Sequence, residues 1–383
     1  MNFLFAHYPR HPDFGFRIFK RPIFWLVLFV ILVGISILFA GYKGVAVYRF
    51  IKLIEFIFLF FYTADILKRV SFLKIALAFS LSGIFQGILA IGQFAFQKSL
   101  GFYLLGEPHL VAGRQEVAEF VAFGARFMRA YGTFSSPNVL AAFLGISFLF
   151  LLTWFFWKKG PVRKQLFFTW TGTVIIGIGL ILTFSRAVIF AFLLVVIFYI
   201  FAILFSRQFG HLKKKMFFAL APMFSAAFLF TLIFWPEVYS RVLTAFARGD
   251  LAIRERLFFN NLSLQVISQN FFGVGAGNYT LYLRDVFSGL HDRLYQPVHN
   301  IFLLLAAESG VLALIVFILF ITVMFGYFLK KYSAQKDILG LFYISATVFI
   351  ITGGLFDHFY LTIQQGGLMF WILLGAGYSY IRK

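Results

Sequence analysis

Ten mostly apolar stretches, most of them near the ~20 residues a helix needs to cross a hydrocarbon core of ~30 Å and the eighth longer, limit what this chain can fold into. They run from about Pro22 to Ala40, Val45 to Tyr62, Phe72 to Phe94, Ser136 to Trp157, Leu166 to Thr183, Ala187 to Phe205, Met216 to Trp235, His299 to Leu329, Ile338 to Phe356 and Leu361 to Tyr380. Soluble domains are ~45–50% apolar and ~25% charged. This chain of 383 residues is 61% hydrophobic and 13% charged, so lipid has to solvate most of it. The expected fold is therefore all-α: a polytopic membrane helical bundle of about ten transmembrane helices, within a range of nine to twelve. The first apolar run is too long for a cleaved leader and reads as a span. The 59 phenylalanines read as packing and lipid-facing surface. The lack of cysteine excludes disulfides, thiolate metal sites and cysteine nucleophiles.

Basic residues orient the bundle. Arg10, Arg17, Lys20 and Arg21 precede the first span, and Lys68, Arg69 and Lys74 follow the second. Further clusters follow the fourth span (Lys158, Lys159, Arg163, Lys164), the sixth (Arg207, Lys213, Lys214, Lys215) and the eighth (Lys330, Lys331, Lys336), and the chain closes on Arg382 and Lys383. Every second connection is thus basic, which places both termini in the cytoplasm. The net charge of +20 is explained by topology, with no need of nucleic acid. On the other face lie two long segments, 97–135 and 236–298. The large extracytoplasmic loop 236–298 is expected to carry short helices. It contains Arg241, Arg248, Arg254, Arg256, Arg284 and Arg293 but no lysine, facing Glu237, Asp250, Glu255, Asp285 and Asp292. Arginine without lysine suits bidentate recognition of phosphate; arginines and acids that simply pair with one another would give the same composition. Val117 to Phe127 is apolar enough to lie along the interface. The chain reads as one membrane domain, 1–383.

Four polar features interrupt the apolar pattern, all on the extracytoplasmic side of this topology. Arg129 to Asn138 leads into the fourth span, where Ser136 suits a helix cap and Pro137 a first turn, leaving Asn138 for another task. Thr183-Phe-Ser-Arg186 is a tight connection whose arginine must snorkel to the interface or face a polar cavity. In the large loop, Ile253, Leu257, Leu264 and Ile267 recur at helical spacing from Leu251 to Asn270, and a glycine-rich turn follows, Gly273-Val-Gly-Ala-Gly-Asn278. That turn lacks the dinucleotide fingerprint spacing and is either an ordinary turn or a backbone nest for an anion. The fourth feature is Val298-His299-Asn300, nine residues, then Gly310. On one continuous helix, Gly310 would lie about three turns below His299 on the same face, and Glu308 would point the opposite way, deep in the span. Arg49, Lys52 and Glu55 share one face of the second span and are expected to pair inside the bundle. Asp357-His358 marks a further outer turn with no assigned role.

Taken together and in this order, these four features resemble the O-antigen ligase and polymerase family of bacterial membrane glycosyltransferases. Gly132-Thr-Phe-Ser-Ser-Pro-Asn138 resembles that family's entry motif, Thr183–Arg186 its Ser-Arg turn, Arg256-Leu-Phe-Phe with the glycine-rich turn its large-loop pattern, and His299-Asn300 with Gly310 its most diagnostic signature. The resemblance covers about residues 130–330. It departs at Ala313, where Gly, Thr or Tyr is frequent, and in the spacing of the loop arginine, which leaves Arg254 and Arg256 equally eligible. It implies transfer of a glycan from an undecaprenyl pyrophosphate-linked donor to a hydroxyl of a glycan, lipid or protein acceptor, without metal or cofactor, in the bacterial inner membrane. The residues implied are His299 as catalytic base with Asn300, Arg186 and Arg254 or Arg256 on the pyrophosphate, and Arg129, Asn138, Glu308 and Gly310 in support. A small-anion transporter of bicarbonate type, and a non-catalytic lipid-glycan binding protein, are the alternatives.

Overall fold

The computed structural model describes residues 21–114, 117–122, 125–158, 162–233, 235, 251–289 and 291–382. Arg10, Arg17, Lys20, Lys159, Arg241, Arg248, Glu237, Asp250 and Lys383 lie outside these residues, as does the side chain of Arg293. The helices in chain order are α1 (Pro22–Ser36), α2 (Lys43–Arg69), α3 (Phe72–Phe96), α4 (Pro137–Trp157), α5 (Val162–Leu182), α6 (Arg186–Phe205), α7 (Gly210–Ile233), α8 (Leu251–Gln269), α9 (Tyr279–Val286), α10 (Ile301–Ser309), α11 (Val311–Gln335), α12 (Ile338–Gly354), α13 (Phe359–Thr362) and α14 (Gln364–Arg382).

Among the described residues, seven helices are long and apolar enough to cross a membrane: α1 extended to Phe39, α3, α4, α5 from Arg163, α6, α7 and α11. The expected all-α polytopic bundle is the fold observed, and the chain is a membrane protein. Three of the ten anticipated spans do not meet that measure alone: α2 carries Arg49, Lys52 and Glu55, α12 has only 17 residues, and α14 is less apolar, opening on Gln364-Gln365-Gly366-Gly367. They pack into the same bundle, α2 against α14 and α12 against α4, α6 and α11. At the centre stands α4, apolar on all sides and 94% buried along its span window. Close approach of α3 to its neighbours needs small residues: a side chain on Gly87 would meet the backbone of Ile175 in α5.

Two departures from the expected pattern shape the outer end. Glu119–Ala122 (β1) and Ala125–Met128 (β2) pair antiparallel, with Phe120 opposite Phe127, so part of the apolar stretch 117–127 is a hairpin. Phe120 stacks on Phe184 at 3.7 Å between ring centroids, which seats the hairpin on the α5–α6 turn. The eighth apolar run is not one helix. Asn300 caps α10, its side-chain oxygen accepting from the backbone N–H groups of Phe302 and Leu303 at 2.9 and 3.1 Å. Gly310 ends α10 at φ +89, so the chain turns before α11 begins. A side chain at Gly310 would also meet the backbone of Phe271 and Phe272, which cross it closely. Hence His299 is not on the helix that holds Gly310, the expected shared face does not exist, and Glu308 sits before the span instead of deep within it.

Candidate functional site

The segment leading into α4 is pinned from below by two glutamines of α3. Gln93 accepts from the backbone N–H groups of Tyr131 and Gly132 at 3.0 and 2.8 Å, and Gln86 accepts from Thr133 N–H at 2.9 Å. Buried amides in a helix bundle must find partners, and these find the backbone of Tyr131 to Thr133. At the end of that segment, Ser136 caps α4 and Pro137 opens it, as expected, leaving Asn138 free to reach across the bundle.

A hydrogen-bonded line runs outward from there. Arg129 donates through Nε to the Thr183 carbonyl at 2.6 Å and through Nη2 to Asn138 Oδ1 at 2.8 Å. Asn138 Nδ2 donates to Asp357 Oδ2 at 2.6 Å. The other carboxylate oxygen, Oδ1, accepts the backbone N–H of His358 at 2.7 Å and lies 3.9 Å from His299 Nδ1. That last distance suits an ion pair and is too long for a hydrogen bond; Nδ1 is a buried nitrogen without a hydrogen-bond partner. The rings of His299 and His358 lie 5.1 Å apart, and Phe259 of α8 closes on His299 from 6.3 Å. Asn300 ties its Nδ2 to the Leu355 carbonyl at 3.2 Å, fixing the His299 strand against the end of α12.

The charges follow from this packing. Burial acts to raise the Asp357 pKa, but it is outweighed by the two neighbouring imidazoles and by Asn138, so the carboxyl ends below its usual range and stays ionised. Burial drives His358 down to about 4, against the pull of Asp357, so this ring is neutral near pH 7. Its Nδ1 is engaged with Thr362 Oγ1 at 2.6 Å.

The sequence features are thus partly gathered. Arg129, Asn138, His299 and Asn300 meet at one end of the bundle, and the Arg129–Thr183 bond brings the turn before α6, which opens on part-buried Arg186, next to Arg129. In α8, Arg256 and Phe259 are three residues apart, about 60° around a helix, while Arg254 and Phe259 are about 140° apart. Phe259 faces His299, so Arg256 shares that side; Arg254 is exposed. Glu308 is elsewhere. Its carboxylate accepts the backbone N–H groups of Gly277 and Tyr279, and its carbonyl accepts that of Gly275 at 2.8 Å. The glycine-rich turn is therefore a nest, and its occupant is a carboxyl group of the protein itself. Arg49 of α2 reaches the Thr362 carbonyl at 3.3 Å, and Lys52 pairs with Glu55 at 2.8 Å.

Asp357 and His358 were legible as an outer turn but not as part of the site, because nothing in the local pattern links them to His299, 58 residues earlier. His299, Asp357 and His358 offer donor atoms that all lie within 4.8 Å of one another, the one such group of metal-ligating type among the described residues. Tetrahedral zinc ligands sit about 3.3 Å apart, and both Asp357 oxygens already accept hydrogen bonds, so a metal would have to contract the group and displace partners. As arranged, the cluster is an imidazole beside a fixed carboxylate, a base with an orienting partner.

Residues 171–318 match a family described as O-Antigen ligase. The match contains Arg186, Arg254, Arg256, His299, Asn300, Glu308 and Gly310; Arg129, Asn138, Asp357 and His358 lie outside it. No curated protein matches the chain.

Proposed function

We propose, from the match of residues 171–318 to the O-antigen ligase family, that the protein is an enzyme of glycosyl transfer that moves a glycan from an undecaprenyl pyrophosphate carrier to an acceptor hydroxyl. The observation that carries this reading is the buried contact of His299 with Asp357. Nδ1 faces the carboxylate, which leaves Nε2 as the nitrogen to meet a substrate. A hydroxyl donating to Nε2 loses its proton there as its oxygen attacks the anomeric carbon. The imidazolium that forms is stabilised by Asp357, held in turn by Asn138 and Arg129. The pyrophosphate leaves with growing negative charge, and Arg186 and Arg256 supply the fixed cations for it. Arg254, on another side of α8, assists from solvent at most. Asn300 positions His299 through its tie to Leu355. Glu308 and Gly310 support the site by fixing the loop 273–278 and the break between α10 and α11.

The reaction needs no metal in this scheme, since the arginines neutralise the leaving group. The positive-inside pattern supports a site on the extracytoplasmic face with both termini in the cytoplasm, and the family match supports a bacterial inner membrane as its setting. The acceptor is a glycan, a lipid or a protein, and the product is cell-surface polysaccharide. Nothing in the family match favours the small-anion transporter alternative.

The test is transfer by the reconstituted protein from a pyrophosphate-linked donor. His299→Ala and Arg186→Ala should each abolish it while the protein stays folded in the membrane. Transfer at the wild-type rate by either variant sinks the reading.

A further inference from the structure

The segment that follows α3 folds back along that helix. A side chain on Gly92 would meet the Leu100 side chain, and the Phe102 ring rests edge-on against Phe85, with 6.2 Å between centroids. Phe85 lies about 16 Å before the end of α3 at Phe96. The helix has 25 residues, about 37 Å, against a hydrocarbon core of ~30 Å. Even with all of that excess standing beyond the boundary, Phe85 is about 9 Å inside the hydrocarbon.

The turn beside it is apolar and open. Phe102, Tyr103 and Leu105 are 42–58% exposed, and Leu104 is fully exposed. Four consecutive large apolar side chains presented to water would be a liability. They continue a surface that already faces lipid: Leu81, Phe85 and Ile88 form one exposed apolar face of α3, and Phe102 packs on its middle member.

Irregular backbone at membrane depth has to find its hydrogen-bond partners within the protein. One buried carboxylate supplies them here. Glu107, 4% exposed, accepts the backbone N–H groups of Leu100 at 2.7 Å and Phe102 at 2.6 Å. The N–H groups of Leu105 and Gly106 donate to the carbonyls of Phe102 and Tyr103, both at 2.9 Å. Gln93 of α3 donates to the same carboxylate at 2.8 Å and to the Gly132 carbonyl at 2.9 Å. The turn and the entry to α4 therefore share one fastening, at the end of the bundle that holds Arg129 and Asn138.

We propose that residues 100–106 form a re-entrant loop whose tip, Tyr103 to Leu105, is seated among the acyl chains of the leaflet on the candidate site's side. Its partner is lipid hydrocarbon, and Glu107 is the group that lets the backbone enter it. The loop is thus a lateral anchor of the bundle beside the site, in a segment whose place between two spans would otherwise put it in water.

The chain has no cysteine, so Leu104→Cys offers a single point for a nitroxide label. In nanodiscs of phosphatidylethanolamine and phosphatidylglycerol, that label should be open to oxygen, which concentrates in hydrocarbon, and shielded from a water-soluble nickel chelate. Its oxygen-to-nickel accessibility ratio should exceed that of a label at exposed Arg114, introduced as Arg114→Cys, by about tenfold. A ratio equal to that at Arg114 puts the tip in water and overturns the proposal. A label shielded from both reagents also overturns it, since a protein surface such as a second copy of the chain would then cover the tip. Adding Glu107→Ala, which strips the acceptor from the Leu100 and Phe102 N–H groups, should raise nickel access at position 104 by about threefold or more, while Glu107→Gln, which still accepts, should raise it less. A label at lipid-facing Ile88, introduced as Ile88→Cys, should read the same in all three backgrounds and so report an intact bundle. Unchanged shielding at position 104 in Glu107→Ala overturns the role given to the carboxylate.

Discussion

Asn138 and Asp357 are 219 residues apart in the chain and joined by a 2.6 Å hydrogen bond. That bond couples the start of α4 to the turn after α12 and keeps a carboxylate aimed at His299. Asp357→Asn is expected to lower kcat/KM for transfer by about 10², because the amide still accepts the His358 N–H but no longer stabilises an imidazolium, and to cost about 1–3 kcal/mol of stability, because its NH2 then meets that of Asn138. Exchanging the pair, Asn138→Asp with Asp357→Asn, restores a hydrogen bond but leaves the charge in the wrong place. The exchanged protein should fold and remain slow; recovery of wild-type rate would mean that Asp357 is only a strut.

The two loop arginines should separate. Arg256→Ala is expected to lower kcat/KM for the lipid-linked donor by about 10²–10³, the scale of a lost donor to a developing anion. Arg254→Ala should change it less than about threefold, as expected of an exposed charge in high dielectric. Steady-state kinetics on the single variants decides this, and the reverse order would put the wrong face of α8 towards the site.

Gly310→Ala should destabilise the protein by about 1–2 kcal/mol or more, since φ is +89 and the added methyl would meet the backbone of Phe272 at 2.7 Å. Gly326→Ala in the middle of α11, where nothing lies within 4 Å, should be neutral or stabilising by about 0.5–1 kcal/mol. Thermal unfolding of the two variants side by side tests the break between α10 and α11 directly.

His358 gives the protein a sensitivity to acid. Burial holds its pKa near about 4 in the fold against 6.5 for a free imidazole, so the unfolded chain takes up a proton first as the pH falls. The associated stability is present above pH 6.5 and lost between about 6.5 and 4, to a total of roughly 3 kcal/mol. Relative to His358→Asn, the wild-type protein should therefore lose thermal stability between pH 7.5 and 4.5. A difference that stays flat over that range would show that the ring is not held neutral.

Hydropathy and the alternation of basic connections determined the class of fold, because lipid forces every span to be a helix that satisfies its own backbone. They also marked the seven helices among the described residues that are long and apolar enough to cross a membrane, from Pro22 to Gln335. The motif spacings marked Arg129, Asn138, Arg186, the loop arginines and His299 as candidates, since polar residues are costly at such positions and stand out against the apolar pattern. What no spacing carried was contact between distant turns. Only the packed bundle decided that Asp357 faces His299, that the glycine-rich nest closes on Glu308, and that the eighth apolar run breaks at Gly310. Those outcomes depend on which helix ends meet, and that is set by side-chain packing between elements, which leaves no periodic trace in the sequence of either one.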